Sequence, residues 1–203
     1  MTAAKPLRAD ARRNQARVLA AADEVFAASG PAASTEQIAR RAEVAIGTVF
    51  RHFPTKAALV EAVFVGRLRR LTDTAAELAG HADPGAAFFE FVTRWAELSA
   101  VKQAFADALA SDGVDVRRAA TDGEYPRVRA ELTAAVGTLL DRAQRAGAVR
   151  ADVGTGELDA LLIGAARAVE YTADDPEVRR RTLGIILDGL RPRRDAVADR
   201  PTP

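Results

Sequence analysis

The segment Ser34 to Lys56, STEQIARRAEVAIGTVFRHFPTK, constrains the fold of this chain more than any other stretch. Ser34 precedes Gln37 by three residues, the spacing at which a hydroxyl and an amide satisfy each other's orphan backbone donors at a helix start. Ile38, Ala39 and Ala42 then recur with helical periodicity. Beyond the turn Glu43-Val44-Ala45, the run Ile46 to Phe53 places Val49 and Phe53 on one side and sends Gly47, Thr48, Phe50, Arg51 and His52 mostly elsewhere. Pro54 stops this second helix, because it brings no N–H and drives the preceding residue out of the helical region. Thr55 is placed to cap a third. Two short helices meeting steeply across a tight turn form a helix-turn-helix, whose second helix enters the major groove of DNA.

The run IARRAEVAIGTVFRHFPTKAALVEAV resembles the DNA-binding signature of the TetR/AcrR family of one-component transcriptional regulators. The resemblance covers roughly residues 10–62; beyond it, the chain is similar to the family in length and helical character only. It implies an all-α fold, with a three-helix DNA-binding head on a larger helical body that binds an effector and dimerises. Residues 1–55 are then the helix-turn-helix domain, 56–191 the effector-binding and dimerisation domain, and 192–203 a disordered tail.

Carried onto this chain, the resemblance gives each residue of the motif a role. Lys56 falls in the first turn of a helix, where the macrodipole disfavours a cation by a few tenths of a kcal/mol. A nearby phosphate reverses that balance, and the resemblance assigns Lys56 to phosphate. His52, one turn beyond Thr48 on the same face, contacts phosphate by the same resemblance. Thr48 can offer its hydroxyl to the DNA backbone, while Gly47 lets the helix approach without a side chain in the way. Thr35, at the start of the first short helix, can place a backbone N–H and a hydroxyl on phosphate. Ile46 and Gly47 open the recognition helix, whose first turn reaches base edges. Ile46 can make only apolar contact, for instance with a thymine methyl. Arg51 can reach a guanine or a phosphate, and the sequence leaves both open. Arg8, Arg12, Arg13 and Arg17 form either a basic arm toward DNA or a solvated helix face.

Two positions depart from the family pattern. Phe50 stands where Tyr is usual, keeping the packing of that residue but losing a phosphate hydrogen bond worth ~1 kcal/mol net. Glu43 stands where Gly is common, because such turns tend to need positive φ; a non-Gly residue there costs roughly 1–2 kcal/mol, unless the turn takes another shape.

Outside the motif the pattern is helical throughout, with no alternating β-branched run and hence no sheet expected. A first helix is expected from about Ala9 to Ser29, with Val18, Ala22, Val25 and Phe26 buried. Further helices are expected from Lys56 to about Gly80, from Asp83-Pro84 onward, from Lys102 to Ser111, from Tyr125 to Ala146, from Thr155 as cap to about Thr172, and from Asp175-Pro176 to about Leu190. That makes about nine helices, with residues 1–8 and 191–203 frayed.

A single head offers little surface for specific binding, so a homodimer on a two-fold axis is expected to meet two half-sites of double-stranded DNA. The last two helices are the candidate interface: Leu158, Leu161, Leu162, Ala165 and Val169 on one, Leu183, Ile186, Leu187 and Leu190 on the other. Pairing them with their symmetry mates in a four-helix arrangement is what the resemblance implies; otherwise they form an internal core. The resemblance also implies a small-molecule effector pocket. The aromatic-rich stretch makes Phe91, Trp95, Phe105 and Tyr125 candidates for lining it around an apolar or aromatic ligand, or simply for core.

Composition narrows the rest. Residues 1–60 carry a net charge of +4 and the remainder −3, a basic head on a mildly acidic body. The chain has no cysteine, which excludes disulfides and thiolate metal sites and fits a reducing compartment. No apolar run approaches the ~20 residues that span a bilayer, and MTAAKPLRADARRNQ lacks the apolar core of a signal peptide. A cytoplasmic location, no membrane association and no cofactor are expected. Against an enzyme, His52 and His81 lie far apart, no serine neighbours a histidine, and Gly154-Thr155-Gly156 is too short for a phosphate loop. A helical scaffold without DNA binding is the other alternative, and Lys56, Thr48 and His52 speak against it.

Overall fold

The computed structural model describes residues 4–29, 33–96, 124–172 and 174–192. Among them lie eight α-helices and no strand: α1 (Ala4–Ser29), α2 (Thr35–Arg41), α3 (Ile46–His52), α4 (Lys56–Leu78), α5 (residues 84–96), α6 (Tyr125–Arg145), α7 (Thr155–Tyr171) and α8 (Pro176–Asp188). The expected helix Lys102–Ser111, Phe105 within it, and the tail beyond residue 192 lie outside the described residues.

Most helix ends follow from local chemistry. Gln37 N–H donates to the Ser34 hydroxyl at 3.2 Å and Ser34 N–H donates to the Gln37 side chain at 2.8 Å, a complete capping box. Thr55 accepts from Ala58 N–H at 3.0 Å, and Asp83 from Ala86 N–H at 2.9 Å. Asp175 accepts from Glu177 and Val178 N–H at 3.1 and 3.0 Å, with Pro176 opening α8. Two ends differ from expectation. α1 begins at Ala4 rather than Ala9, since Pro6 falls in the first turn, where a missing N–H leaves nothing unpaired. Thr155 is the first helical residue of α7 rather than its cap; Glu157 reaches back to accept from Gly154 N–H at 3.1 Å.

The described residues form two compact units, one comprising 4–70 and 124–130, the other 71–96 and 131–192. In the first, Val18, Ala22 and Phe26 of α1, Ile38 and Ala39 of α2, Val49 and Phe53 at α3, and Leu59, Val60 and Val63 of α4 bury one another. Each Val, Leu, Ile or Phe among them contributes about 1.5–3 kcal/mol, so the head is completed by the first two turns of α4. The start of α6 joins this unit through Tyr125 and Val128, which pack against Val65 and Leu68. Arg69 donates to Glu124 at 2.8 Å beside them.

In the second unit Phe88, Phe91 and Val92 of α5, Leu132, Val136, Leu139 and Leu140 of α6, and Leu158 and Leu162 of α7 are buried. Gly85 is required there: a Cβ would fall 2.6 Å from the Ala148 Cβ. Ala96, Ala165 and Val169 make a further cluster with Leu183 and Ile186 of α8 against it.

Candidate nucleic-acid interface

The turn between α2 and α3 is a Schellman closure. Val44 N–H donates to Ala39 C=O and Glu43 N–H to Arg40 C=O, both at 3.1 Å, the pair of bonds that ends a helix through a residue in the left-handed region. Glu43 is that residue, with φ of 52°, alone among the described non-glycine residues in having positive φ. The same closure ends α6 at Gly147, φ 69°, where the bonds are 2.9 Å each. Glu43 thus adopts the conformation for which glycine is usual. Its carboxylate and backbone carbonyl both face Arg17 of α1, which donates to them at 2.9 and 3.4 Å.

The turn sets α3 with Val49 and Phe53 inward, at 0% and 5% exposure, and the opposite arc open. Ile46 and Phe50, one turn apart, are 38% and 45% exposed. Gly47 and Arg51 lie in the exposed arc beside them, and a Cβ built on Gly47 meets nothing within 4 Å. Thr48 and His52 flank the other edge, half-buried, the His52 ring 6.3 Å from that of Phe53. Lys56, half-buried, opens α4 and Thr35, also half-buried, opens α2. In the first turn of α2, backbone hydrogen bonding at Glu36, then the Ser34 hydroxyl, holds the Glu36 carboxyl below its ordinary pKa.

Around this face the arginines divide. Arg13 pairs with Asp10, Arg17 with Glu43, and Arg41 with Glu24 at 2.5 Å. Of the four arginines considered for a basic arm, Arg13 and Arg17 therefore have carboxylate partners on the head itself. Arg12 is exposed, and the side chain of Arg8 lies outside the described residues. The arrangement is an apolar and open row on the outside of a short helix, rimmed by hydroxyl, imidazole and ammonium groups. Such a surface suits a groove floor bordered by phosphates.

The residues considered for an effector are only partly brought together. Phe91 is fully buried and meets Trp95 edge-on, ring centroids 5.7 Å apart at 85°. Tyr125 belongs to the other unit, where it is buried with Val65 and Val128. In the second unit Trp95, Thr133, Val136, Thr155, Leu158, Asp159 and Leu162 surround a cavity of about 10 Å³, room for about one water molecule.

The residues expected at a dimer interface differ in exposure. Leu158, Leu162, Ala165, Val169 and Leu190 are buried inside their own chain, and Leu161, Leu183, Ile186 and Leu187 are half-buried. Leu158 and Leu162 lie beside Trp95 of α5 and Thr133 and Val136 of α6, and Ala165 and Val169 cluster with Ala96 of α5, so the five buried residues have little surface to offer a partner. The outward apolar residues of α7 and α8 are Ile163, Tyr171, Val178 and Ile185, at 55%, 92%, 44% and 72% exposure. The run LLIGAA within α7 carries the missed signal: a helix apolar on both faces has two surfaces to cover. Asp23, Arg67 and Arg70, which join α1 to α4, were likewise invisible in the pattern. Among the described residues no cluster of His, Asp and Glu is placed to hold a metal, and no helix is long and apolar enough to cross a membrane.

Known proteins similar to this chain cover most of its length. Residues 18–63 match the bacterial regulatory proteins of the tetR family, and residues 83–192 match the C-terminal domain of SbtR-like transcriptional regulators. A TetR transcription regulatory protein from Mycobacterium vanbaalenii is 43% identical, with 92% of this chain and 100% of that one covered and a TM-score of 0.67. A TetR transcriptional regulator from Streptomyces coelicolor is 34% identical over 87% of this chain and 98% of its own, also with a TM-score of 0.67. A curated relative, the uncharacterized HTH-type transcriptional regulator TtgW of Pseudomonas putida, is 42% identical over 65 residues, 32% of this chain and 48% of its own length, so the match spans about half of that protein. Matched in both its helix-turn-helix head and its helical body, the chain belongs to the TetR family of bacterial transcriptional regulators.

Proposed function

We propose that this protein is a homodimeric, ligand-responsive repressor that binds a palindromic operator through α3 and leaves it when a small apolar or aromatic effector binds the body. The observation that carries the proposal is the outward row Ile46, Gly47, Phe50 and Arg51 on α3, open to approach and set by a closed turn. A helix face this apolar, on a small head with a net charge of +4 over residues 1–60, is best covered by a groove between phosphates. Thr35, Thr48, His52 and Lys56 hold the sugar-phosphate backbone, while Ile46, Gly47 and Phe50 meet base edges. Arg51 lies farthest from the buried side of α3, on the arc opposite Val49 and Phe53, and is assigned to a base. The head domain is taken as residues 1–55, closed by the first two turns of α4, and the body as the remainder of 56–191.

Dimerisation uses the outward apolar side chains of α7 and α8, led by Tyr171 and Ile185. The effector enters beside Trp95, where Val136, Leu158 and Leu162 supply apolar lining and Thr133, Thr155 and Asp159 supply the polar groups. A site with space for about one water admits an effector only by opening. Ligand therefore favours an expanded state that DNA does not, and such coupling is worth ~1–3 kcal/mol. The test is selection from a random duplex pool, followed by competition at rising salt. A repressor of this kind recovers a palindrome and loses affinity steeply with salt. A helical scaffold recovers no sequence.

A further inference from the structure

The seam between α1 and α4 changes character along its length. Leu59, Val60 and Val63 of α4 pack against Val18, Ala22 and Phe26 of α1. One turn after Val63 comes Arg67, and three residues later Arg70, and both reach a single carboxylate, that of Asp23. Arg67 donates from Nε to Asp23 Oδ1 and from Nη2 to the Asp23 backbone carbonyl at 3.3 Å. Arg70 donates to the other carboxylate oxygen at 2.6 Å. The Arg67 side chain is 8% exposed and that of Asp23 29%, while Arg70 is open at 62%.

These two kinds of contact hold the seam differently. Apolar packing is non-directional, so Leu59, Val60 and Val63 fix how close α4 lies without fixing how it is turned. Guanidinium-to-carboxylate bonds have geometry. With both carboxylate oxygens and the backbone carbonyl of one α1 residue engaged from two positions on α4, a change of angle between the helices breaks at least one bond. A guanidinium this buried has no water to fall back on.

We infer that Asp23, clamped by Arg67 and Arg70, fixes the angle at which α4 leaves the DNA-binding head, and so sets which half-site spacing the dimer accepts. Asp23 is a positioning residue: it acts through α4 and touches no DNA. The inference rests on the dimeric, DNA-binding function proposed above. α4 continues past the clamp to Leu78. Adding one base pair moves a half-site by about 3.4 Å and turns it by roughly 35°. Only a fixed exit angle discriminates against so small a change.

The experiment uses the full-length protein and the duplex recovered from a random pool, rebuilt with its central spacing shortened by one base pair and lengthened by one and by two. Affinities are measured for wild type, Asp23→Asn and Arg67→Lys, with circular dichroism as a check on folding. Arg67→Lys keeps the charge but loses the fork, and it carries the test if Asp23→Asn does not fold. Wild type is expected to lose at least about tenfold in affinity at the wrong spacings, and the variants less than about threefold, with base preference inside each half-site unchanged. A variant whose affinities fall in parallel at every spacing overturns the inference and leaves the function standing, because a merely structural role predicts that result. Wild type that binds no duplex overturns the function, and the inference with it.

Discussion

Arg17 of α1 donates to the Glu43 carboxylate at 2.9 Å and reaches toward the Glu43 backbone carbonyl at 3.4 Å, bridging 26 residues of sequence to hold the one described non-glycine residue with positive φ. The left-handed conformation costs a side-chain-bearing residue roughly 1–2 kcal/mol. An ion pair with side chains 46% and 84% exposed offsets less than about 1 kcal/mol of that. The turn is therefore held mainly by its two backbone bonds and by packing of the head.

Glu43→Gly is accordingly expected to stabilise the head by roughly 0.5–1 kcal/mol, relief of the φ penalty exceeding the lost pair. Thermal unfolding followed by circular dichroism measures it. A lower melting temperature would show that the Arg17 pair outweighs the backbone strain.

Lys56→Ala and His52→Ala each remove a group assigned to phosphate. Both variants are expected to bind all sequences more weakly while keeping wild-type helicity. For Lys56→Ala the slope of log affinity against log salt is expected to shrink by about 0.9. An unchanged slope with unchanged affinity contradicts the assignment.

Arg51 lies on the outer arc of α3, away from Val49 and Phe53. Arg51→Ala is expected to relax preference at one base position, at a cost of about 1–3 kcal/mol for the favoured base. Repeating the pool selection with the variant decides this; a uniform loss over all sequences would move Arg51 to the backbone.

Ile185→Glu and Ile163→Glu place a charge on side chains 72% and 55% exposed. Neither is expected to disturb the fold of the single chain. Both are expected to yield monomers by analytical ultracentrifugation and to weaken operator binding by about a hundredfold or more, because paired heads no longer act together. Leu162→Ala, 1% exposed, is expected to do the reverse: lower stability by about 2–5 kcal/mol and leave the dimer interface itself intact. Dimers that survive both glutamate substitutions contradict the placement of the interface.

What the sequence discloses depends on the reach of each interaction. The capping box of Ser34 and Gln37 and the Asp-Pro starts at 83 and 175 act within three residues, and the structure has them as the sequence implies. The inward set of the head, Val18, Phe26, Ile38 and Val49, follows from period alone. Glu43 could be flagged as a conflict, but only the backbone shows that the turn keeps its positive φ. Tyr125 read as one more aromatic near a pocket; its burial against Val65, 60 positions earlier in the chain, is a long-range fact. On α7 both faces are apolar, so period could not tell Leu162, inside, from Ile163, outside. Asp23 looked like an ordinary surface acid because its partners lie 44 and 47 residues away.

The most direct test of the central claim, that α3 reads duplex DNA while neighbouring groups hold the backbone, is fluorescence anisotropy of the selected palindrome titrated with wild-type protein from low to moderate salt. The account predicts saturable binding by a dimer, with affinity falling roughly 10³-fold or more between 50 and 200 mM salt if six or more phosphates are contacted. Protein that is dimeric and folded, yet gives no anisotropy change with any duplex at 50 mM salt, would contradict it.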